Sequence, residues 1–261
     1  MRVVHGLNKI PEELHLGFGR HGDSLPAYAV IQGREQTLTR RFWRVGMKIE
    51  VTEHGPYEVS GGVPLRPKRE VESEFGEPLT WQTGPAIETE ATYRLCRCGK
   101  SDNKPFCDGS HTFEHFDGTE RAPAERPADG IKRYEGTGMV VVRDGKLCEH
   151  AGFCGNQITD WFKMLAETED TIVRGHLMAM LEKCPSGALS YEIDGEQIEP
   201  PLAKEIGPVT DGPLFVSGGI PIVMTNGEQM TIRNRVTLCR CGASKNKPLC
   251  DGTHGEIGFE A

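Results

Sequence analysis

Cys96-Arg-Cys98-Gly-Lys-Ser-Asp-Asn-Lys-Pro-Phe-Cys107-Asp-Gly-Ser-His111 is followed, later in the chain, by Cys239-Arg-Cys241-Gly-Ala-Ser-Lys-Asn-Lys-Pro-Leu-Cys250-Asp-Gly-Thr-His254. Both stretches read C-x-C-x8-C-x3-H, with a proline two residues before the third cysteine. Three thiols and an imidazole at the same spacing, twice in one chain, make a metal-site signature. In C-x-C, alternate residues of an extended segment point the same way, so both thiolates can reach one ion. In C-x3-H, the cysteine and histidine stand at i and i+4, on one face if the chain turns into a helix. Two chelating pairs suit a two-iron cluster in which each iron takes two protein ligands. A single tetrahedral zinc on Cys3His stays open, although zinc modules usually space their cysteines by two to four residues.

The repeat extends beyond the cysteines. Gly55-Pro-Tyr-Glu-Val-Ser-Gly-Gly-Val-Pro-Leu65 matches Gly212-Pro-Leu-Phe-Val-Ser-Gly-Gly-Ile-Pro-Ile222 at an offset of 157, whereas the cysteine motifs match at 143. The first copy therefore carries fourteen extra residues between about Arg66 and Glu90. Each unit reads strand, Gly-Gly turn, strand, further strand, metal loop and closing aromatic, Phe116 or Phe259. Whole-unit duplication is the structural inference. Met47-Lys-Ile-Glu-Val51 reads as a strand at the head of the first unit.

Between the units, Ala122-Pro-Ala-Glu-Arg-Pro-Ala-Asp-Gly130 reads as a linker. Gly138-Met-Val-Val-Val-Arg143 is a buried strand, and residues 171–183 a helix with Ile172, His176, Leu177, Met180 and Leu181 on one face. Leu189-Ser-Tyr-Glu-Ile193 is a returning strand. Cys148 and Cys154 have the spacing of the first and third cysteines of C-x2-C-x2-C, with Ala151 in the second place, and Cys184-Pro supplies a distal thiol. A [3Fe-4S] cluster is satisfied by three thiolates. A [4Fe-4S] cluster needs a fourth ligand, for which His150 is nearest, and the alternative is three ordinary thiols.

Composition narrows the function. The 261 residues hold 37% hydrophobic and 26% charged side chains, which fits a globular protein, and 32 Gly with 17 Pro favour short strands and many turns. A net charge of −8 argues against nucleic acid or an anionic membrane as partner. Residues 144–206 carry twelve acidic and five basic residues, nearly all of the excess. No apolar leader or membrane-length stretch appears, so a cytoplasmic location is expected. The nine cysteines fall into three triplets, which suits a reducing compartment and metal ligation better than disulfides. In residues 1–45, Pro11-Glu-Glu-Leu14 starts a helix and Tyr28-Ala-Val-Ile31 is a strand, but no chemistry is legible there. Gly17-x-Gly19-x-x-Gly22 follows no strand and fails as a dinucleotide fingerprint. No catalytic triad or phosphate loop appears either, so a carrier is expected rather than an enzyme.

The two cysteine motifs resemble the CDGSH iron–sulfur family, C-x-C-x2-[ST]-x3-P-x-C-D-G-[STA]-H, and fit it at every position, including Ser101, Pro105, Ser244 and Pro248. The segment around Cys148, Cys154 and Cys184-Pro-Ser-Gly-Ala-Leu resembles the divergent mono-cluster ferredoxin domain. The resemblance implies a [2Fe-2S] cluster on Cys96, Cys98, Cys107 and His111, and a second on Cys239, Cys241, Cys250 and His254. It further implies an α+β fold: two β-rich units forming an intrachain pseudo-dimer with a β-cap, plus a ferredoxin-like insert. The expected domains are an extension at 1–45, units at 46–121 and 205–261, and an insert at 131–199. A neutral His in place of a thiolate leaves the oxidised site one negative charge rather than two. Its potential should then exceed the roughly −400 mV of plant-type ferredoxins. The imidazole should also couple reduction to a proton and make the cluster acid-labile. Expected partners are a redox protein or an apo-protein acceptor, for a monomer that docks through its acidic insert.

Two sets of residues have blander readings. Arg97, Lys100, Lys104, Arg240, Lys245 and Lys247 either offset thiolate charge or form a solvated loop. Asp108 and Asp251 are read as helix caps, His176 as a core histidine, His54 and His115 as surface or turn residues, and Trp43, Trp81 and Trp161 as core or subdomain contacts.

Overall fold

The computed structural model describes residues 46–125 and 127–261. The expected helix at Pro11, the strand at Tyr28 and Trp43 lie outside them. The fold is β-rich with few, short helices, as an α+β chain should be.

In the first unit, β1 (Lys48–Val51), β2 (Tyr57–Ser60) and, after a hairpin of β3 (Lys68–Glu72) and β4 (Pro78–Thr83), β5 (Thr92–Leu95) lead to the first cysteine loop and a one-turn helix α1 (Ser110–Phe113). The central segment contributes β6 (Ile131–Gly136), β7 (Met139–Asp144), α2 (Trp161–Leu165), α3 (Thr171–Leu181), β8 (Leu189–Ile193) and β9 (Glu196–Ile198). The second unit repeats the plan with β10 (Glu205–Pro208), β11 (Leu214–Ser217), β12 (Ile222–Val223), β13 (Arg235–Leu238) and α4 (Thr253–Glu256).

The units exchange edges. β12 pairs parallel with β1, making the sheet β12-β1-β2-β5, with Ile49 opposite Ile222. Reciprocally, Leu65 bridges in parallel to Ile206 beside the sheet β10-β11-β13. Ile49 N donates to Pro221 O and Ile206 N to Pro64 O, both at 2.9 Å. At the 157-residue offset these two bonds are the same bond seen from either unit. The Gly-Gly turns make the exchange feasible. Gly61 (φ 86°) and Gly218 (φ 75°) are left-handed, and a Cβ on either would come within 2.6 Å of the backbone N of Met47 or Lys204.

Alternation along β1 and β5 buries Ile49 and Leu95, which join Val59 and Leu65 and, from the almost wholly buried strands of the second unit, Ile206, Leu214, Ile222 and Leu238 in one core. The central segment has its own core of Met139, Val141, Leu177, Leu181 and Tyr191, and Cys184 packs against both.

The extra residues of the first copy are the β3–β4 hairpin. Ile87 N donates to Leu65 O as Met230 N donates to Ile222 O, each at 2.8 Å, so the repeat resumes at Ile87. The hairpin ties three parts together. Lys68 Nζ reaches Glu205 Oε1 at 2.6 Å, and the Trp81 indole donates to Lys183 O at 2.9 Å while lying 4.8 Å from the Phe153 ring. The expected linker is packed rather than free: Ala122 is buried, its N donates to Lys247 O, and Thr231 N donates to Ala124 O.

Helix α3 forms as expected, but its buried face differs. Leu177 and Leu181 are buried with Val173 beside them, whereas Ile172 is 67% exposed and His176 is exposed. The i, i+4 ridge 173/177/181 meets the sheet and leaves His176 on the rim, so it is not a core histidine.

Candidate metal centres

Each cysteine loop is held by its own polar residues. Ser101 Oγ donates to Phe106 O (2.7 Å) and accepts from Asn103 N; Ser244 does the same with Leu249 O and Asn246 N. Asp108 Oδ1 accepts from Ser110 N and Oγ, and its Oδ2 from Asp102 N at 2.8 Å. Asp251 repeats this with Thr253 and with Lys245 N. Neither aspartate is the helix cap expected of it, since the N-caps are Gly109 and Gly252; each carboxylate instead sits one residue earlier and ties the loop shut across six residues, which spacing alone did not reveal. These donors hold Asp108 below the usual carboxylate range.

Inside the loops, Cys96 Sγ and Cys98 Sγ lie 3.8 Å apart, as do Cys239 Sγ and Cys241 Sγ. Two thiolates on one tetrahedral metal with bonds of about 2.3 Å would be about 3.7 Å apart, so these pairs have the bite of a chelate. In each pair one thiol is pulled down by its sibling's hydrogen bond, to about 6 at Cys96 and Cys241. His111 Nδ1 lies 3.4 Å from Cys107 Sγ, and His254 Nδ1 lies 3.3 Å from Cys250 Sγ. In both, Nδ1 faces the thiol. Burial holds His254 below the ordinary imidazole value. Among the described residues, no three such side chains converge on one ion position, so the pairs stand as separate bidentate sets.

The arginines of C-x-C are neither solvated nor aimed at the thiols. Arg97, 1% exposed, donates to Thr52 O, Gly55 O and Gly118 O and lies over the Tyr57 and Phe116 rings. Arg240 donates to Gly212 O, Val209 O and Ala261 O beneath Phe259. Each clamps the first turn of its unit to the closing aromatic. Burial lowers Arg240 to about 10, opposed by Cys96, Asp211 and Cys241, so it still feels thiolate charge. Lys104 and Lys247 donate to Ser101 O and Ser244 O, while Lys100 and Lys245 are exposed.

The two loops meet each other. Cys98 and Cys241, equivalent residues of the repeat, form an antiparallel bridge. A Cβ on Gly99 would stand 2.4 Å from Cys241 O, and one on Gly242 2.4 Å from Cys98 O, so both positions demand glycine. Tyr57, fully buried, donates to Cys239 O (2.8 Å) and Pro248 O (3.1 Å) across the units.

The three central cysteines line one cavity of about 400 Å³, with His150, Ala151, Phe153 and Trp161. Burial raises Cys154, and the neighbouring Cys184 and Cys148 raise it further. Sequence reading missed Glu149. It is buried, its carboxyl lies against Thr237 and Cys250, and its Oε2 has no hydrogen-bond partner. Burial raises it to about 8. Its place between Cys148 and a histidine was the one available signal.

These paired thiols and imidazoles suit a metal centre, and the comparisons identify iron–sulfur domains in the chain. The iron-binding zinc finger CDGSH-type model matches residues 54–112 and 211–255, and the divergent 4Fe-4S mono-cluster model matches residues 134–194 between them. The chain thus carries two CDGSH-type iron–sulfur units flanking a divergent mono-cluster domain. It is similar to CDGSH iron-sulfur domain-containing protein 3, mitochondrial, of Homo sapiens, 38% identical over 65 residues that cover 21% of this chain and 51% of that one. The Mus musculus protein of the same name is 70% identical over 23 residues, 9% of this chain and 17% of that one. The chain thus spans about half, or less, of the length of these curated relatives. No solved structure matches. No helix among the described residues is long and apolar enough to cross a membrane.

Proposed function

We propose that the chain holds two [2Fe-2S] clusters, on Cys96, Cys98, Cys107 and His111 and on Cys239, Cys241, Cys250 and His254, and works as a one-electron carrier. The observation that carries this is the pairing of ligands: at both sites one loop presents two thiols 3.8 Å apart, the bite of a chelate, and separately a cysteine with a histidine Nδ1 3.3–3.4 Å from its sulfur. A single zinc needs four side chains on one ion, which two separate pairs do not favour. The reciprocal strand exchange supports an intrachain pseudo-dimer. A cluster there would supply the electron-accepting iron. The protein's residues supply its net charge, its burial and its histidine. With Nδ1 facing the thiol, Nε2 is left to take a proton on reduction, which couples potential to pH.

The cavity lined by Cys148, Cys154 and Cys184 suits a third cluster, [3Fe-4S] on three thiolates or [4Fe-4S] with a further ligand. Partners are a redox protein or an apo-protein acceptor, in a reducing compartment that leaves nine thiols free. The relatives' name attaches those proteins to mitochondria, and both mitochondrion and cytoplasm meet that requirement.

Iron and sulfide analysis with EPR after reductive titration tests the reading. A rhombic [2Fe-2S] signal is expected, and bound zinc without sulfide refutes it. The Cys107–His111 edge, less buried than Cys250, favours a second reading, cluster delivery to apo-proteins. Incubation with apo-ferredoxin distinguishes them, because delivery bleaches this protein as the acceptor gains colour.

A further inference from the structure

The two CDGSH sites are alike in ligands and unlike in surroundings. At the first, Cys107 is half-buried, Asp108 is exposed, and Phe113 beside His111 is 84% exposed. This edge opens into a depression of about 550 Å³ that includes Glu53, Glu58 and Arg94. At the second, Cys250 is 2% exposed, and Pro248 and Leu249 are buried where Pro105 and Phe106 are not.

What covers the second site is the cysteine loop of the central domain. A Cβ on Gly252 would stand 2.8 Å from Glu149 O and 2.9 Å from His150 Cδ2, whereas one on the equivalent Gly109 would meet nothing within 4 Å. The Glu149 carboxyl lies against Cys250, and Asn246 Nδ2 donates to Lys146 O at 2.9 Å. Thus the residue next to Cys148 touches an outer ligand of the second site. The inner ligands of that site touch those of the first at the Cys98–Cys241 bridge. Electron tunnelling falls steeply with distance and favours contact paths, and these two contacts join three candidate centres in a line.

Resting on the cluster reading above, we propose that the chain is a linear three-centre relay ordered central cavity, second site, first site. Glu149–Cys250 and Cys98–Cys241 are its two junctions, and the Cys107–His111 edge is its port to an external partner. With clusters held by these cysteines and histidines, one electron would cross each junction, one centre being oxidised by one and its neighbour reduced by one with no bond formed or broken, while Glu149 and the Cys98–Cys241 bridge keep the centres in contact. A one-electron partner protein acts at each end, one at the cavity, where His150 is exposed, and one at the port, the first giving the electron that the second takes or the reverse.

The test is EPR relaxation of the reduced holoprotein, with the two [2Fe-2S] signals assigned by the shifts that His111→Cys and His254→Cys cause. Cys184→Ala, which empties the central cavity, should remove the relaxation enhancement of the second-site signal and leave the first-site signal unchanged. Equal change at both sites, or none at either, overturns the relay. If C184A does not fold, the wild-type protein poised with the central cluster in its diamagnetic and then its paramagnetic state gives the same comparison. Iron analysis separates the two failures. A central cavity without iron in the wild type overturns the third-cluster reading and the relay with it; full loading without unequal relaxation overturns the relay alone.

Discussion

Replacing Arg235 by alanine should release the central domain from the second unit. This side chain, 2% exposed, donates from Nη1 to Leu181 O, Glu182 O and Cys184 O, all at 2.9 Å, and from Nη2 to Leu189 O. Its Nε and Nη2 also reach the Glu199 carboxylate at 2.8 and 3.1 Å. Arg235 therefore satisfies the C-terminal carbonyls of α3 and holds the Cys184 loop against β13. Truncating one partner of a buried ion pair costs about 3–5 kcal/mol. The Glu199 side chain is 25% exposed and recovers some hydration, which favours the low end. At about 3 kcal/mol, and about 2–4 °C per kcal/mol for a domain of this size, the melting temperature should fall by about 6–12 °C. Arg235→Lys should recover the Glu199 contact but not the carbonyl fork, giving an intermediate value. Thermal melts at matched iron loading measure the shift, and iron analysis should find the central cavity depleted first. A shift below about 2 °C, well under the penalty for a broken buried pair, would refute the anchoring role.

Further outcomes follow from the same contacts. Gly109→Ala and Gly252→Ala each force a left-handed residue, at about 1–2 kcal/mol, but only G252A collides with Glu149 and His150. Urea midpoints should therefore fall further for G252A, and only it should lose central iron; equal behaviour would contradict the docking. Glu70 is raised to about 7, first by burial and then by Glu72. Its folded value lies above its unfolded one, so its contribution is fully present below about pH 4.5 and is lost as pH rises through about 7. Glu70→Gln should flatten stability over that window, and an unchanged slope in urea titrations would count against it. Acid should bleach the clusters in two phases, with the first site leading because its Cys107–His111 edge is the less buried. His111→Cys should abolish the faster phase in visible absorbance; loss of that phase in His254→Cys instead would reverse the assignment.

The duplication was legible to the residue. Offsets of 157 and 143 predict that Ile49 and Ile206 are equivalent, and the structure gives them equivalent backbone bonds. The chelating pairs were legible from their spacing, but the chain forms them in its own way: Arg97 is a bend beyond β5 rather than part of a strand, and Cys107 lies ahead of α1, which starts only after left-handed Gly109. What stayed hidden depends on packing. His176 looks apolar-facing in a helical projection, yet a rotation of one residue puts the ridge at Leu177 and Leu181. Arg97 beside two cysteines looks electrostatic, whereas its partners, Thr52 O and Gly118 O, lie far off in sequence. Glu149 had only its place between Cys148 and His150 to single it out. Its role is set by Cys250, a hundred residues away.

A duplicated chain with one inserted domain cannot stay symmetric. Two equivalent sites compete for one cover, and whichever the insert takes becomes internal while the other keeps its solvent edge. Here the bias toward the second site is written in the substitutions between copies. Arg235, which holds the insert, stands where the first unit has Thr92. The hairpin, found only in the first unit, reaches the same insert from the other side through Trp81. Exposed Phe113 stands where the second unit has Glu256. None of these is itself a ligand, and together they give two identical ligand sets different access to solvent.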